Sequence, residues 1–419
     1  MKLMLSFLAA IAWGCSFVFT LYAAYNLIIA LFGLRRQKKW AECAPQKRFA
    51  VLIAARNEEC VVGNLVESLL AQDYPRELFD VYVIPNNCTD DTAGAARRAG
   101  ARILDCTVPV KSKGEVLTFA FDYLFAKHDV YDAYCIFDAD NLVDPGFLQA
   151  MNNALCGGAR AAQAYRDSKN PYDTAMSGCY SIYYWMLGRF YNRARANIGL
   201  TAVINGSGFM VSADLIKEMG GFHTYTMTED VELTAQCALR DVRVEWVPEA
   251  RIYDEQPLTF SQSWKQRKRW STGLLQGCGR YLPALAQNAV SRRSRLSADQ
   301  AVFFLAPVMQ VVCFVSMVIS AVMAVFYLQV DLFPQTQVFW RLFSPIGCSF
   351  LLTAGTALVT LILEKKWSVK LVGAVLYYWV FVMSWIPINI LCLFKRTTVW
   401  DEIRHTRAIP LSELRMGSK

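Results

Sequence analysis

Two aspartates separated by one residue follow the short apolar run from Tyr134 to Phe137. In an extended chain, residues i and i+2 point to the same side, so Asp138 and Asp140 would present their carboxylates together. Such a pair suits a hard divalent cation, since Mg²⁺ is usually held by one or two carboxylates and substrate phosphates. Two solvated loop acids are the alternative, and the position directly after a buried strand favours the cation.

A second acidic pair, Glu229 and Asp230, follows Thr228 at the start of a helical pattern. Thr is a common N-cap, and the helix dipole favours acids in a first turn, so local helix stability alone accounts for this sequence. The functional interpretation makes Asp230 a general base. The nearby dipole would keep its carboxylate ionised, as a proton acceptor must be.

Three residues at helical spacing present chemically useful groups on one face. Gln266, Arg269 and Trp270 stand at i, i+3 and i+4, so an amide, a guanidinium and an indole lie together. A guanidinium suits a pyrophosphate, and an indole can stack on a sugar. Alternatively, this is an interfacial helix that turns Arg267 and Lys268 towards lipid headgroups. Both interpretations can hold at once, because the two sets lie partly on different faces.

Two further segments could bring the backbone close to a ligand. Gly206, Ser207 and Gly208 form a turn that enters a strand, and glycines allow close backbone approach; an ordinary tight turn explains them equally well. Lys113 opens a helix, where a phosphate would meet both its ammonium group and backbone N–H groups. A solvated lysine pair with Lys111 is the alternative. The three histidines pair with no Ser or Cys motif, which gives no case for a catalytic triad.

The elements that must position these residues alternate between strand and helix. Strands are predicted at 49–55, 80–84, 101–104 and 133–137, and helices between them, ending near residues 71, 100 and 127. Alternation of this kind indicates βαβ units, and therefore an α/β fold with a parallel sheet. Ligands of such sheets bind beyond the carboxyl ends of the strands, which is where the candidate residues fall.

The chain as a whole is more apolar and less charged than a soluble protein. Of its 419 residues, 54% are hydrophobic and 19% are charged, against about 25% charged in an ordinary domain. Its many aromatic residues exclude a disordered chain. Four apolar stretches are long enough to cross a bilayer, at about 4–34, 301–328, 342–363 and 371–394. The net charge of +8 lies largely beside them and does not indicate a nucleic-acid partner.

The basic residues that flank these stretches predict an orientation. The positive-inside rule places Arg35 to Lys39, and the domain after them, in the cytoplasm, where the 13 cysteines would be free thiols. Three full C-terminal crossings would leave the basic tail outside, so one segment is expected to be re-entrant or interfacial, with the Pro387 segment the main suspect. The predicted organisation is a transmembrane anchor (1–34), a cytoplasmic α/β domain (35–255), amphipathic interfacial helices (256–300), C-terminal transmembrane segments (301–394) and a basic cytoplasmic tail (395–419).

Taken together, the motifs resemble those of an inverting family 2 glycosyltransferase of the membrane-embedded type, to which cellulose, chitin, hyaluronan and poly-N-acetylglucosamine synthases belong. The resemblance covers about residues 48–285 and implies a nucleotide-diphospho-sugar transferase fold (GT-A, Rossmann-like) beside transmembrane helices at the plasma membrane. It rests on this ordered set: Ala55-Arg56-Asn57-Glu58, Asn87-Cys88-Thr89-Asp90, Lys113-Gly114, Asp138-Ala139-Asp140, Gly206-Ser207-Gly208, Thr228-Glu229-Asp230 and Gln266-Arg267-Lys268-Arg269-Trp270.

The resemblance also implies roles for individual residues. Asp138 and Asp140 would bind the diphosphate and its Mg²⁺ or Mn²⁺, and Asp230, beside Glu229, would deprotonate the acceptor hydroxyl. The implied donor site comprises Ala55, Arg56, Glu58, Asn86, Lys113, Asp138, Gln266 and Arg269, and the acceptor site comprises Trp270, Gly206, Ser207 and Gly208. One departure is Asn86, where the family often has an Asp against the uracil; its amide can still exchange hydrogen bonds with that base.

Two enzyme hypotheses share these residues. The leading one is a processive synthase that polymerises a β-linked glycan from UDP-glucose or UDP-N-acetylglucosamine at the cytoplasmic face and passes it through its own membrane segments. The alternative is a non-processive enzyme that adds one sugar to a lipid acceptor. A third hypothesis, from another class, is a non-catalytic transporter or scaffold subunit.

Overall fold

The computed structural model describes residues 2–127, 130–329 and 335–394, together with Ile409 and Glu413. The basic tail predicted at 395–419 otherwise lies outside the described residues.

A mixed sheet with the strand order β3-β2-β1-β4-β7-β6-β8-β5 forms the centre of the α/β domain. The strands are β1 (Phe49–Ala55), β2 (Phe79–Pro85), β3 (Arg102–Ile103), β4 (Ala133–Asp138), β5 (Leu142–Val143), β6 (Ala161–Ser168), β7 (Phe209–Ser212) and β8 (Val244–Asp254).

Helices cover the sheet and extend away from it. Those of the first half of the chain are α1 (Lys2–Leu31), α2 (Val62–Leu70), α3 (Thr92–Arg98), α4 (Lys113–Ala126), α5 (Phe147–Cys156), α6 (Ala175–Met186) and α7 (Ala194–Ala196). A π-helical stretch, Leu187–Arg193, joins the last two. The second half forms α8 (Ala213–Glu218), α9 (Glu229–Leu239), α10 (Phe260–Ser291), α11 (Arg295–Phe304), α12 (Ala306–Gln329), α13 (Gln335–Leu363), α14 (Val372–Met383) and α15 (Trp385–Phe394).

The four predicted strands form a parallel sheet, as the sequence indicated, within a larger mixed sheet. Strands β1 to β4 pair in parallel as expected, and β6 pairs in parallel with β8, whereas β7 runs antiparallel between β4 and β6. The reason lies in the turn before β7, where Gly206 and Gly208 adopt left-handed φ angles of 92° and 63°. This turn lies at the carboxyl end of β4, with the Gly208 N–H donating to Ile136 O at 2.9 Å, so β7 must run back along β4.

Alternating residues of β1 enter two different cores, as the pleat of a strand requires. Phe49, Val51 and Ile53 pack on one side of the sheet with α2 and α5. Ala50 and Leu52 face a larger core on the other side, which includes α4 and α6. That second core continues into residues of α13 and α14, such as Leu361 and Phe381. The apolar helices and the α/β domain therefore share one packed interior.

Among the residues that the structure describes, four segments of helix are long and apolar enough to cross a membrane: Leu3–Leu34, Ala306–Phe326, Phe343–Leu363 and Val369–Phe394. The last is broken at Ser384, between α14 and α15, three residues before the Pro387 at which the sequence predicted an interruption. Pro387 lies in the first turn of α15, where its missing N–H is tolerated. The freed carbonyl of Phe381 accepts hydrogen bonds from Ser384 Oγ at 2.8 Å and Arg267 Nη1 at 2.7 Å.

The position of Arg267 corrects one expectation. Its side chain is fully buried and its guanidinium lies 4.5 Å from the centroid of the Phe381 ring, so the placement towards lipid headgroups was wrong. The physical reason is the break in the fourth apolar segment, because a buried carbonyl needs a donor and α10 supplies one. Lys265, two residues earlier, is exposed.

Candidate active site

A cavity of about 250 Å³ lies beyond the carboxyl ends of β1 and β4, where the sequence predicted a ligand site. Most of the predicted site residues line it: Arg56, Glu58, Lys113, Asp138, Asp140, Gly206, Glu229, Asp230, Gln266, Arg269 and Trp270. The other four, Ala55, Asn86, Ser207 and Gly208, lie behind its wall. The structure therefore brings together residues that are more than 200 positions apart in the chain.

A buried lysine links two of the predicted acids. Lys113 Nζ donates to Asp138 Oδ1 at 2.5 Å and to Gly206 O at 2.6 Å, and lies 3.6 Å from Glu229 Oε1. Burial acts against the charge of Lys113, but Asp138 and Glu229 outweigh it and raise its pKa. Burial likewise opposes ionisation of Asp138, yet Lys113 and Arg166 hold the pKa of this carboxyl below its usual value. Both groups are therefore charged at neutral pH.

The Asp230 carboxyl group lines the same cavity, but its surroundings shift its pKa in the opposite direction from that of Asp138. Burial first, and the carboxylate of Glu229 second, raise the pKa of Asp230 to about 7. This corrects the expectation that a helix dipole keeps the group ionised. The Cα of Gly206 lies between the acids: a Cβ there would be 3.6 Å from Asp230 Oδ2 and 3.8 Å from Asp138 Oδ2. A glycine at this point leaves room for a ligand between a charged carboxylate and a proton acceptor.

Two further charged residues line the site without having been predicted from the sequence, Arg166 in β6 and Asp254 at the end of β8. Arg166 Nε donates to Asp254 Oδ2 at 2.8 Å and Arg166 Nη1 donates to the Asn205 carbonyl. The guanidinium also lies 4.3 Å from the centroid of the Tyr184 ring. Asp254 ends its strand just as Asp138 does, but the charged residues and the proline within β8 gave no apolar pattern that could have revealed it.

The predicted metal ligands offer a donor set that fits a divalent cation. Asp140 is only 4% exposed, and it lines the cavity with Asp138. Within the described ranges no group of three or more His, Cys, Asp or Glu side chains is arranged to hold a metal ion. An ion at these two carboxylates would therefore take its other ligands from phosphate oxygens and water, which is the usual arrangement for Mg²⁺.

The four predicted residues behind the wall support those that line the cavity. Asn86 is 2% exposed; its amide donates to Ala55 O at 3.0 Å and accepts from Arg56 Nε at 3.1 Å. Arg56, not Asn86, thus occupies the position facing the cavity. Ser207 Oγ accepts from the Asp138 N–H at 3.0 Å, and a Cβ on Gly208 would meet Ile252 Cδ1 at 2.7 Å.

The predicted face of α10 closes one side of the cavity. The Trp270 ring stacks against Tyr183 and Trp385, with centroids 6.3 and 6.2 Å away and interplanar angles of 23° and 24°. Gln266 Oε1 is buried without a hydrogen-bond partner among the described residues. An unpaired buried acceptor costs free energy, so this amide is suited to a ligand's donor.

The cavity has a second, apolar end. Leu187, Leu274, Phe303 and Trp385 line it, and they come from the π-helical stretch, α10, α11 and α15. The first candidate C-terminal span begins at Ala306, only three residues after Phe303. One cavity therefore joins a charged site at the sheet to apolar side chains beside candidate membrane segments.

Comparison with known proteins assigns the family. Residues 45–273 match the family model described as glycosyltransferase like family 2, which covers more than half of the chain and all of the predicted site residues. The chain belongs to this family. The predicted resemblance is thereby confirmed, and the protein is a glycosyltransferase.

Curated relatives of this glycosyltransferase include two kinds of synthase. It is 25% identical over 287 residues to the beta-monoglucosyldiacylglycerol synthase of Synechocystis sp., covering 64% of this chain and 57% of that protein. It is 22% identical over 231 residues to the poly-beta-1,6-N-acetyl-D-glucosamine synthase of Staphylococcus epidermidis, covering 53% of each. The chain thus spans little more than half the length of these relatives.

A solved structure confirms the fold. The mannosyltransferase PcManGT from Pyrobaculum calidifontis, determined in complex with GDP-Man and Mn²⁺, aligns with a TM-score of 0.61 over 88% of this glycosyltransferase and 98% of that chain. At 18% identity this likeness concerns the fold alone. The predicted GT-A architecture with additional apolar helices is therefore correct.

Proposed function

We propose that this glycosyltransferase transfers one sugar from a nucleoside diphosphate donor to the hydroxyl group of a membrane lipid, with inversion at the anomeric carbon. The observation that carries the proposal is the two-part cavity, charged at the sheet and apolar at Leu187, Leu274, Phe303 and Trp385. Apolar side chains suit an acyl chain, whereas the hydroxyl groups of a passing polysaccharide need hydrogen-bond partners.

This proposal reverses the order of the two hypotheses drawn from the sequence. The relatives support either one, since one is named as a glycolipid synthase and another as a poly-N-acetylglucosamine synthase. Trp270, which suggested stacking on a sugar, also packs against Tyr183 and Trp385. The apolar end of the cavity supports the lipid acceptor.

Asp230 is the proposed general base. As the acceptor oxygen bonds to the anomeric carbon, its proton passes to the Asp230 carboxylate, and the bond from that carbon to the diphosphate oxygen breaks with its electron pair. A pKa of about 7 suits this task, because a base works best when its pKa lies near the operating pH. A lipid phosphate acceptor is already an anion and needs no base, so a buried proton acceptor favours a hydroxyl.

The leaving diphosphate requires positive charge. Lys113 and Arg269 line the cavity and would offset the charge that builds on the phosphate oxygens. Asp138 and Asp140 would hold Mg²⁺ or Mn²⁺, which acts as a Lewis acid towards those oxygens when bound. PcManGT, of the same fold, was solved with Mn²⁺.

The donor is proposed to be UDP-glucose or UDP-N-acetylglucosamine, as the family resemblance implied, with Arg56 and Glu58 on the side of the base. The enzyme would work at the plasma membrane with its α/β domain in the cytoplasm, in line with the basic flank after the first apolar segment.

Product analysis tests the function. The purified full chain would be placed in phospholipid vesicles that contain diacylglycerol. It would be supplied with labelled UDP-glucose, UDP-N-acetylglucosamine or GDP-mannose, and the mass of the product would be measured by mass spectrometry. We expect a lipid carrying one sugar, no transfer after chelation with EDTA, and recovery with Mg²⁺ or Mn²⁺. A polymer would contradict the lipid proposal, and a lack of transfer from every donor would contradict the donor assignment.

Substitution of the base tests the mechanism. Asp230→Asn should lower the transfer rate at least about a hundredfold, the usual contribution of a general base. Asp214→Asn is a matched control, because Asp214 is an exposed acid in the first turn of α8. If the Glu229–Asp230 pair only stabilises a helix end, the two variants will retain similar activity.

A further inference from the structure

A second cavity, of about 560 Å³, is strongly basic and shares no lining residue with the active site. Six arginines line it against two acids, Asp241 and Glu245; the arginines are Arg160, Arg240, Arg243, Arg292, Arg293 and Arg295. They come from three separate segments of the chain, and the fold brings them together.

Only two of these six arginines form an ion pair in the described part of the chain. Arg160 pairs with Glu218, and Arg243 pairs with Glu245. By contrast, Arg292, Arg293 and Arg295 are exposed and form no ion pair with any carboxylate in the described part of the chain. Three guanidinium groups within four positions repel one another, so the site is suited to an anion that would relieve this repulsion.

The loops around the cavity are held in shape. Asp241 and Arg293 both adopt left-handed backbone angles, with φ of 54° and 55°, a conformation that residues other than glycine rarely take. The Ser294 hydroxyl donates to the Asp241 carboxylate and joins the two loops. The Ser294 hydroxyl carries no charge of its own. The six arginines therefore still outnumber the two acids of the lining, and the cavity keeps its excess of positive charge.

The cavity lies beside two candidate membrane segments. Leu296, which lines it, packs against the cluster of Ile29, Ala194 and Leu200, and Ile29 belongs to the span Leu3–Leu34. Leu296 belongs to α11, and this helix leads to the span that starts at Ala306. Ile29 lies near the end of its own span, so the cavity is close in the fold to a candidate membrane boundary.

We propose that this cavity binds a phosphate group, supplied by the headgroup of an anionic phospholipid. A guanidinium binds phosphate oxygens with two parallel hydrogen bonds, and basic residues near a bilayer attract its anionic lipids. A zwitterionic headgroup offers the same phosphate but carries a cation that the arginines repel. The cavity would therefore select for net negative charge at the membrane surface.

Native mass spectrometry of the detergent-solubilised full chain tests this site without measuring transfer. The probes are short-chain phosphatidylglycerol, short-chain phosphatidylcholine and inorganic phosphate. We expect phosphatidylglycerol to bind more tightly than phosphatidylcholine, and the triple variant Arg292→Gln/Arg293→Gln/Arg295→Gln to weaken its binding at least about tenfold. Since these residues are exposed and outside the active site, the variant should keep its basal transfer activity, which also shows that it is folded.

A charge-matched control distinguishes a specific binding site from general electrostatic attraction between the protein and the lipid. Arg97→Gln/Arg98→Gln/Lys217→Gln removes the same charge from exposed positions that line neither cavity, and it should bind phosphatidylglycerol as the unmodified chain does. If inorganic phosphate also binds and displaces the lipid, the cavity is a phosphate site whose ligand is the free ion. Equal binding of the two lipids, or equal losses in both variants, would overturn the proposal.

Discussion

The proton affinity of Asp230 is set by its surroundings more than by its place in a helix. Burial and the carboxylate of Glu229 raise its pKa to about 7, while the N–H of Val231, 2.8 Å from Asp230 Oδ1, acts in the opposite direction. A helix dipole is worth about 0.3–1 kcal/mol at a surface, whereas burying a charge costs several kcal/mol. Desolvation therefore outweighs the dipole, and the group can exchange a proton near neutral pH.

This environment predicts the pH dependence of catalysis. A base must be deprotonated to accept a proton, so kcat/KM should fall about tenfold per pH unit below about pH 7. Glu229→Gln removes a like charge that raises the pKa of Asp230, so it should move this acidic limb to lower pH. The measurement is a pH profile of kcat/KM for donor and lipid acceptor.

The same profile recorded for Asp214→Asn provides the control, since that residue lies on another helix and does not line the cavity. Its acidic limb should match that of the unmodified enzyme. An unchanged limb in Glu229→Gln would show that the neighbouring carboxylate does not tune Asp230.

At the scale of elements, α10 determines where the first turn of α9 lies. A Cβ added at Gly273 of α10 would approach Thr228 to 2.5 Å at Cγ2 and 2.9 Å at Cβ. Thr228 directly precedes Glu229 and Asp230, so this contact sets the position of both acids. On the same helix, a Cβ at Gly279 would meet nothing within 4 Å.

Gly273→Ala should therefore displace the acids, whereas Gly279→Ala should not. We expect kcat of Gly273→Ala to fall at least about tenfold, because small misplacements of catalytic groups are costly. Gly279→Ala should keep its kcat and gain stability by roughly 0.5–1 kcal/mol from its helix propensity. Steady-state kinetics and melting temperatures check both, and equal kcat values in the two variants would contradict this role of the contact.

An element can be predicted from the sequence when its pattern is local, and it cannot when it depends on residues that are far apart in the chain. The strands β1, β2 and β4 and the helical face of Gln266 and Arg269 were predictable, because periodicity and spacing are local. The partnership of Arg166 and Asp254 was not, because it depends on the long-range pairing of β6 with β8. Pro248 interrupts the apolar pattern of β8, so this strand had no clear local signal.

At the scale of the whole molecule, the segment after α13 holds the strand that carries Arg166. Tyr165 OH donates to Glu364 Oε2 at 2.8 Å, and Lys366 Nζ donates to Asp167 Oδ2 at 2.7 Å. These two contacts flank Arg166 on both sides. Arg166 in turn bonds Asp254 and the Asn205 carbonyl beside the Gly206 turn. The apolar helices are therefore part of the framework of the active site as well as candidate membrane anchors.

The apolar end of the cavity, which this framework encloses, also predicts how the acceptor lipid is recognised. Leu274 lines the cavity and the adjacent Leu275 does not, although both are partly buried on α10. Leu274→Ser should raise KM for a long-chain diacylglycerol about tenfold, through the loss of apolar contact, and should leave KM for the nucleotide sugar unchanged. Leu275→Ser should change neither constant. A rise in donor KM, or equal effects of the two substitutions, would show that this end of the cavity does not hold the lipid, because only an acceptor bound there distinguishes the neighbouring leucines.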